Sequence, residues 1–171
     1  MIAADTTFRA ILDCVRCGAE TTASSQVWSC PTCGGPLSWR GPTSFTRSDM
    51  AEDVPSLWRY DAVLPIGRNQ AVSLGESITP LVEVDIDGVT LRFKLDFLLP
   101  TGSYKDRGAA VLLSALKLLG VHHAVEDSSG NAAAAIAAYS ARAGIACTVF
   151  APAAASAGKT AASPIFSPEI S

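Results

Sequence analysis

Four of the five cysteines fall in two C-x2-C pairs, Cys14 with Cys17 and Cys30 with Cys33, and a glycine, Gly18 or Gly34, follows each pair directly. No other feature restricts how this chain can fold so tightly. Two residues between thiolates let one turn aim both sulfurs at an ion about 2.3 Å away, and glycine lets the backbone curl around it. Four thiolates close a tetrahedron with no open position, so the expected ion is a structural Zn2+ rather than a catalytic one. A redox dithiol, or two chance pairs, are the competing readings. Five cysteines are too few for a disulfide scaffold in 171 residues, which favours metal ligation. Cys147 lies in the apolar run "IACTVF" and reads as a buried, inert thiol.

Residues 12 to 38 are rich in Cys, Gly and small polar residues and lack helical periodicity. Residues 1–40 therefore read as a small zinc ribbon. Residues 41–73 mix proline breaks with a short amphipathic piece around Leu57, Trp58 and Tyr60, which suggests a connector packed on something larger. Next, "LVEVDIDGVTLRFKLDF" holds two alternating runs around Asp87-Gly88, a dipeptide suited to the positive φ angles of a type I′ turn. A β-hairpin is expected over 81–96. Ala109 to Leu119 is expected to be a helix stopped by Gly120, and "VHHAVED" a strand. A loop "SSGN", a helix over 132–143 closed by Gly144 and a strand "IACTVFA" follow. Strand, loop, helix and strand in steps of this length describe βαβ units, so residues 74–171 read as part of a parallel-sheet α/β domain. The tail "AAASAGKTAASPIFSPEIS" begins like a helix and then turns to Ser-Pro pairs.

The net charge is −3, without long runs of one sign, and gives no electrostatic reason to expect nucleic acid or anionic membrane as a partner. Arg9, Arg16, Arg40 and Arg47 are balanced by Asp5, Asp13, Glu20 and Asp49 across residues 1–50, which also argues against a nucleic-acid-binding ribbon. No apolar run reaches eighteen residues, and "MIAADTTFRAILDC" lacks a basic start and a cleavage site. Neither a membrane span nor a signal peptide is expected, and the location expected is cytoplasmic. A small-molecule partner fits this balance, and a homo-oligomer stays open.

The segment "PTGSYKDRG" at 100–108 sets one lysine behind a Thr-Gly-Ser-Tyr turn and ahead of an apolar helix. A lysine amine can condense with an aldehyde, and pyridoxal phosphate is the commonest cofactor held in this way. The small residues before Lys105 leave room for a flat ring, and a helix start favours anions. Composition alone favours a surface lysine in a helix N-terminal turn, paired with Asp106. The order of motifs carries more information. "PTGSYKDRGA", "SSGNAAAAIAAYSARAGI", "FAPAAASAGK" and the upstream "LGESITPLV" together resemble the threonine synthase branch of the pyridoxal-phosphate enzymes of the tryptophan synthase β type, some of which carry an N-terminal zinc ribbon.

That resemblance implies a role for each matching position. Lys105 matches the lysine that bonds the cofactor and shuttles protons. Asn131 matches the asparagine that hydrogen-bonds the cofactor's 3′ oxygen, and Ser128, Ser129 and Gly130 match the loop receiving the substrate α-carboxylate. On the residues alone that loop is also an ordinary βα turn capped by serines. The implied reaction is conversion of O-phosphohomoserine to threonine and phosphate. A dehydratase, a cysteine or cysteate synthase-like enzyme, and a non-catalytic zinc-ribbon fragment are the alternatives. "SSGNA" sits closer to threonine synthase than to the "SAGNH" of dehydratases or the "TSGNTG" of cysteine synthases. The family's Gly-rich phosphate loop and its pyridine-nitrogen partner have no counterpart in the sequence, so the chain is expected to be an N-terminal part that does not complete the site alone. His122 and His123 read as a strand edge, and Arg107 as a brace for the lysine loop.

Overall fold

The computed structural model describes residues 10–128 and 130–151, together with the backbone of 169–170. The first unit is a three-stranded antiparallel sheet, β1 (Ile11–Cys14), β2 (Glu20–Thr22) and β3 (Leu37–Trp39), with β1 in the centre. Both knuckles close alike. Gly18 N–H donates to the Cys14 carbonyl at 2.9 Å and Gly34 N–H to the Cys30 carbonyl at 2.8 Å. Both glycines hold positive φ, 73° and 67°, a conformation that costs any residue with a Cβ. Arg40 then ties the three strands together, donating to both oxygens of Asp13 and to Glu20.

Two strands, β4 (Leu81–Ile86) and β5 (Val89–Lys94), form the expected hairpin in full register. Asp87 and Gly88 take φ of 52° and 76° at its turn, the two positive angles of a type I′ connection. Pairing puts Val82 opposite Phe93, Val84 opposite Leu91 and Ile86 opposite Val89. One face is therefore wholly apolar, yet all six of these side chains are exposed. The other face is polar, with Arg92 paired to Glu83 at 2.8 Å.

The α/β layer follows as α1 (Lys105–Leu118), β6 (His123–Asp127), α2 (Asn131–Ala143) and β7 (Ala146–Phe150). Parallel pairing of β6 with β7 confirms the βαβ unit, and a two-residue strand, β8 (Glu169–Ile170), pairs in parallel on the other side of β7. The sequence did not suggest β8. The tail segment 152–168, expected to begin as a helix, lies outside the described residues. Among the described residues no helix is long and apolar enough to cross a membrane.

Alanines let the layers close. Ala109, Ala110 and Leu113 of α1 meet Ala135, Ala138 and Tyr139 of α2 in one core with Leu57, Trp58 and Val72. Residues 133–140 of α2 are all buried, as expected of a helix lying between another helix and a sheet. The connector is part of this core rather than a free linker, because Val72 N–H donates to Ser114 Oγ at 2.7 Å. Cys147 packs on the same core half-buried, and burial pushes its thiol pKa up, in keeping with an inert role.

Candidate functional site

α1 begins at Lys105, four residues before the expected start at Ala109. The cause is Asp106. Its side chain is fully buried and reaches back to accept hydrogen bonds from the Thr101 N–H (2.8 Å) and the Thr101 hydroxyl. Gly102, at φ 81°, turns the chain so that this contact can form. Asp106 is thus committed to the loop and is not the partner of Lys105. The lysine stands exposed in the first helical turn, its Nζ 5.0 Å from the centre of the Tyr104 ring.

Lys105 opens on a cleft of about 190 Å3 whose other walls are Gly108, Ala109 and Leu112 of α1, Glu126 of β6, and Ala132, Ala135 and Ile136 of α2. Glu126 lies at the carboxyl end of its strand, the end at which parallel α/β sheets bind ligands. Four of these walls are glycine or alanine, Leu112 and Ile136 are larger and apolar, and a Cβ built on Gly108 would meet only open space. α2 starts at this same end, and its cap, Gly130, supplies no side-chain hydrogen bond. Among the described residues no side chain accepts from its first backbone N–H groups, an arrangement that suits an anion. An exposed amine, a mainly apolar cleft and an uncapped helix start suit a flat, aldehyde-bearing, anionic ring, so the residues present fit pyridoxal phosphate.

The other expected site residues divide. Ser128 accepts a hydrogen bond from Gly130 N–H at 3.3 Å, so its hydroxyl helps shape the loop. Asn131 is the first residue of α2, exposed and next in sequence to the cleft residue Ala132, but it is not itself among the cleft walls. Ser129 lies outside the described residues. His123 Nε2 shares a hydrogen bond of 2.8 Å with Thr148 Oγ1 across the strand pair, which agrees with an edge position.

Two supporting networks were not legible in the sequence. Arg107 donates to Asp96 Oδ1 (3.0 Å) and to Thr79 Oγ1 (3.2 Å), while Lys94 Nζ donates to the carbonyl and hydroxyl oxygens of Thr79, both at 2.5 Å. Arg107 is the brace expected, and Asp96 and Thr79 are what it braces against. The Arg107 hydrogen bond, and then that of Thr79, hold the Asp96 carboxyl below the usual range. The second network centres on Glu76, fully buried, which accepts from Trp58 Nε1 (2.6 Å), Tyr139 OH (2.8 Å) and Leu74 N–H (3.0 Å). Burial and the Glu76 contact push the Tyr139 phenol far up, so it stays a donor. No local signal marks Glu76, whose side-chain partners lie 18 and 63 residues away.

The ligand atoms of Cys14, Cys17, Cys30 and Cys33 all lie within 4.8 Å of one another, with Sγ separations of 3.5 Å for Cys14 to Cys33 and 3.7 Å for Cys17 to Cys30. A zinc with four Zn–S bonds of about 2.3 Å requires sulfurs about 3.8 Å apart. The cluster therefore has the size of a zinc tetrahedron. The Cys17 N–H, 3.4 Å from Cys14 Sγ, leads the contacts that lower the Cys14 thiol to about 6, whereas at Cys17 the lowering hydrogen bond of the Ala19 backbone is outweighed by the Cys33 and Cys14 sulfurs and the thiol is pushed up to about 12, so the four sulfurs become thiolates together only around a cation. Gly35 keeps the cluster uncrowded, since a Cβ would sit 3.0 Å from Arg16 Cβ, 3.1 Å from Cys14 Sγ and 3.2 Å from Cys33 Sγ and would press on both sulfurs.

A parallel βαβ layer with a lysine at a helix start and an uncapped second helix beside it defines a class, and residues 72–167 match the family of pyridoxal-phosphate dependent enzymes. The chain belongs to that family and carries a domain of the tryptophan synthase β type, preceded by a four-cysteine ribbon. Among curated proteins it is 36% identical over 150 residues to the threonine synthase of Methanosarcina acetivorans, an alignment covering 83% of this chain and 37% of that protein. It is 33% identical over 150 residues to the threonine synthase of Methanocaldococcus jannaschii, covering 81% and 37%. Among solved structures, a pyridoxal 5′-phosphate-dependent aspartate racemase superposes with a TM-score of 0.50 at 33% identity, over 55% of this chain and 32% of that one. A hydrogen sulfide-producing enzyme from Fusobacterium nucleatum superposes with a TM-score of 0.50 at 25% identity, over 54% and 33%. The chain spans between a quarter and two fifths of the length of the curated relatives it matches.

Proposed function

We propose that this chain supplies the lysine-bearing part of a pyridoxal-phosphate enzyme that removes a proton from the α-carbon of a small amino acid. The carrying observation is that the Lys105 amine and the start of α2 share one mainly apolar cleft at the carboxyl end of β6. Pyridoxal phosphate, when bound, supplies an electron sink for charge developing at that carbon. Lys105 holds the cofactor through its amine and, once released, takes and returns the Cα proton as general base and acid. The N–H groups at the start of α2, with the Ser128, Ser129 and Gly130 loop, orient the substrate carboxylate, as charge-assisted hydrogen bonds at a helix start can. Asn131 holds the cofactor ring. Asp106 and Arg107 keep the first turn of α1, and with it Lys105, in place from behind. We adopt a ribbon at 1–40, a connector at 41–73 and the α/β unit at 74–171 as the division of labour, with Zn2+ as the ribbon's structural ion.

Proton removal at Cα is common to racemisation, β-elimination and β-replacement. The structural likeness to an aspartate racemase and to a hydrogen sulfide-producing enzyme supports a reaction of this kind, including the dehydratase and cysteine synthase-like ones. A threonine synthase reaction is the second reading. It is favoured by alignments that cover 83% and 81% of the chain and so extend beyond the α/β unit. The test begins with cofactor, borohydride and mass spectrometry of peptides. A pyridoxyl mass on Lys105, absent from Lys105→Ala, is expected together with a lysine-dependent visible absorbance. Labelling spread over several lysines, with no preference for Lys105, refutes the assignment and favours a non-catalytic ribbon protein. Exchange of the Cα hydrogen for deuterium with serine, cysteine, aspartate or O-phosphohomoserine then separates the two readings.

A further inference from the structure

Arginines in this chain are paired as a rule. Arg40, Arg47, Arg68, Arg92 and Arg107 each face a carboxylate, and Arg16 and Arg142 each donate to a backbone carbonyl. Arg59 is the exception among the described residues. It is half-buried, its Nε is closed off from solvent without a hydrogen-bond partner, and no carboxylate of the described residues lies within ion-pair distance. Its guanidinium rests 5.8 Å from the centre of the Tyr60 ring. A guanidinium nitrogen closed off from solvent without an acceptor is unfavourable, and folded proteins rarely leave one so.

Arg59 lines a second cleft, of about 330 Å3, with Ser56, Tyr60, Ile78, Lys94 and Arg107. It shares no wall with the Lys105 cleft. The 3-10 turn Leu57–Val63 carries Arg59 and Tyr60, and it is fixed against the opposite wall by the Ser56 to Ser77 bridge and by Ile78 N–H donating to the Pro55 carbonyl at 3.1 Å. Three cations therefore line it together, while among the described residues the one acid bonded to any of them is Asp96, held by Arg107. Arg107 uses only Nη2 in that contact, so the rest of its fork remains available.

We propose that this cleft binds a phosphate-type oxyanion. Two guanidinium forks, Arg59 and Arg107, match the oxygens of such an anion, Lys94 adds a point charge, and the Ser56 and Tyr60 hydroxyls can donate. Ile78 gives the organic part of a phosphomonoester an apolar wall. Arg107 follows Lys105 by two residues in the first turn of α1, so an occupant touches the turn that carries the lysine. The proposal stands whether or not Lys105 bonds pyridoxal phosphate.

Thermal unfolding of the zinc-loaded chain in increasing inorganic phosphate, at ionic strength held constant with chloride, provides the test. Phosphate is expected to raise Tm saturably in the wild type. Arg59→Gln should weaken its apparent affinity about tenfold, the effect of losing one charge-assisted contact, while Arg47→Gln, on an exposed side chain outside the cleft, should leave it unchanged. Should Arg59→Gln fail to fold, Arg59→Lys, which keeps the charge but not the fork, is expected to show weaker binding, and 31P line broadening reads the same affinity directly. A phosphate effect no larger than that of chloride, or one of equal size in wild type and Arg59 variants, overturns the proposal.

Discussion

Replacing Glu76 by Gln tests the energetic role of the buried acceptor that joins connector to helix layer. The carboxyl group accepts from three donors: Trp58 Nε1 at one oxygen, Tyr139 OH and Leu74 N–H at the other. Glutamine keeps the shape but turns one oxygen into a donor. Facing Trp58, the new NH2 opposes an indole N–H; flipped, it opposes the Leu74 N–H, and only the tyrosine hydroxyl can turn to accommodate it. Either rotamer leaves a buried donor unsatisfied, at a cost of about 2 kcal/mol, equivalent to a fall in Tm of about 4–8 °C for a chain of this size. Glu76→Ala strands all three donors and should cost about 4 kcal/mol or more, with a cavity added. Urea unfolding followed by tryptophan fluorescence and circular dichroism measures both, with unchanged m-values expected. A Glu76→Gln protein within about 0.5 kcal/mol of wild type, the ordinary range of a surface change, would refute the claim that these contacts hold the layers together.

Native mass spectrometry should find one zinc per chain and none in Cys17→Ser, with chelation removing the ribbon's circular dichroism while leaving the helical signal. Gly35→Ala should release zinc to a chromogenic chelator faster than wild type, because the new Cβ presses on two of the four sulfurs. Asp96 sets a pH dependence: its pKa is depressed in the folded state, so its stabilisation is complete above the unfolded carboxylate value and is lost as pH falls through the folded one. Stability of Asp96→Asn should therefore decline less steeply than wild type below about pH 4, as read from urea midpoints against pH. Equal slopes would show that the Arg107 pair contributes nothing to α1.

What the sequence revealed were features fixed by neighbours along the chain. Two C-x2-C pairs and their glycines specify the knuckles, alternating apolar runs around Asp87-Gly88 specify the hairpin, and the helix stops Gly120 and Gly144 mark off β6, α2 and β7. The start of α1 was misread because "KDRG" has no apolar periodicity, and the contact that winds the helix back to Lys105 runs through space from Asp106 to Thr101. Glu76 and Arg59 were missed for the same reason, since burial and pairing depend on residues far along the chain. Of the proposed site, the lysine and the helix start could be read from motif order. The meeting of both at one cleft needed the packing of α1 on α2.

The hairpin also bears on the order in which the chain assembles. Its register is set by its own turn, so it can zip in about 1–10 μs, whereas β6 and β7 must wait for α2 to cross between them. The ribbon of Val82, Val84, Ile86, Val89, Leu91 and Phe93 then faces solvent from the earliest moments. At high concentration it is the surface on which nascent copies adhere, so refolding yield should fall with protein concentration and recover when lysines replace Val84 and Leu91.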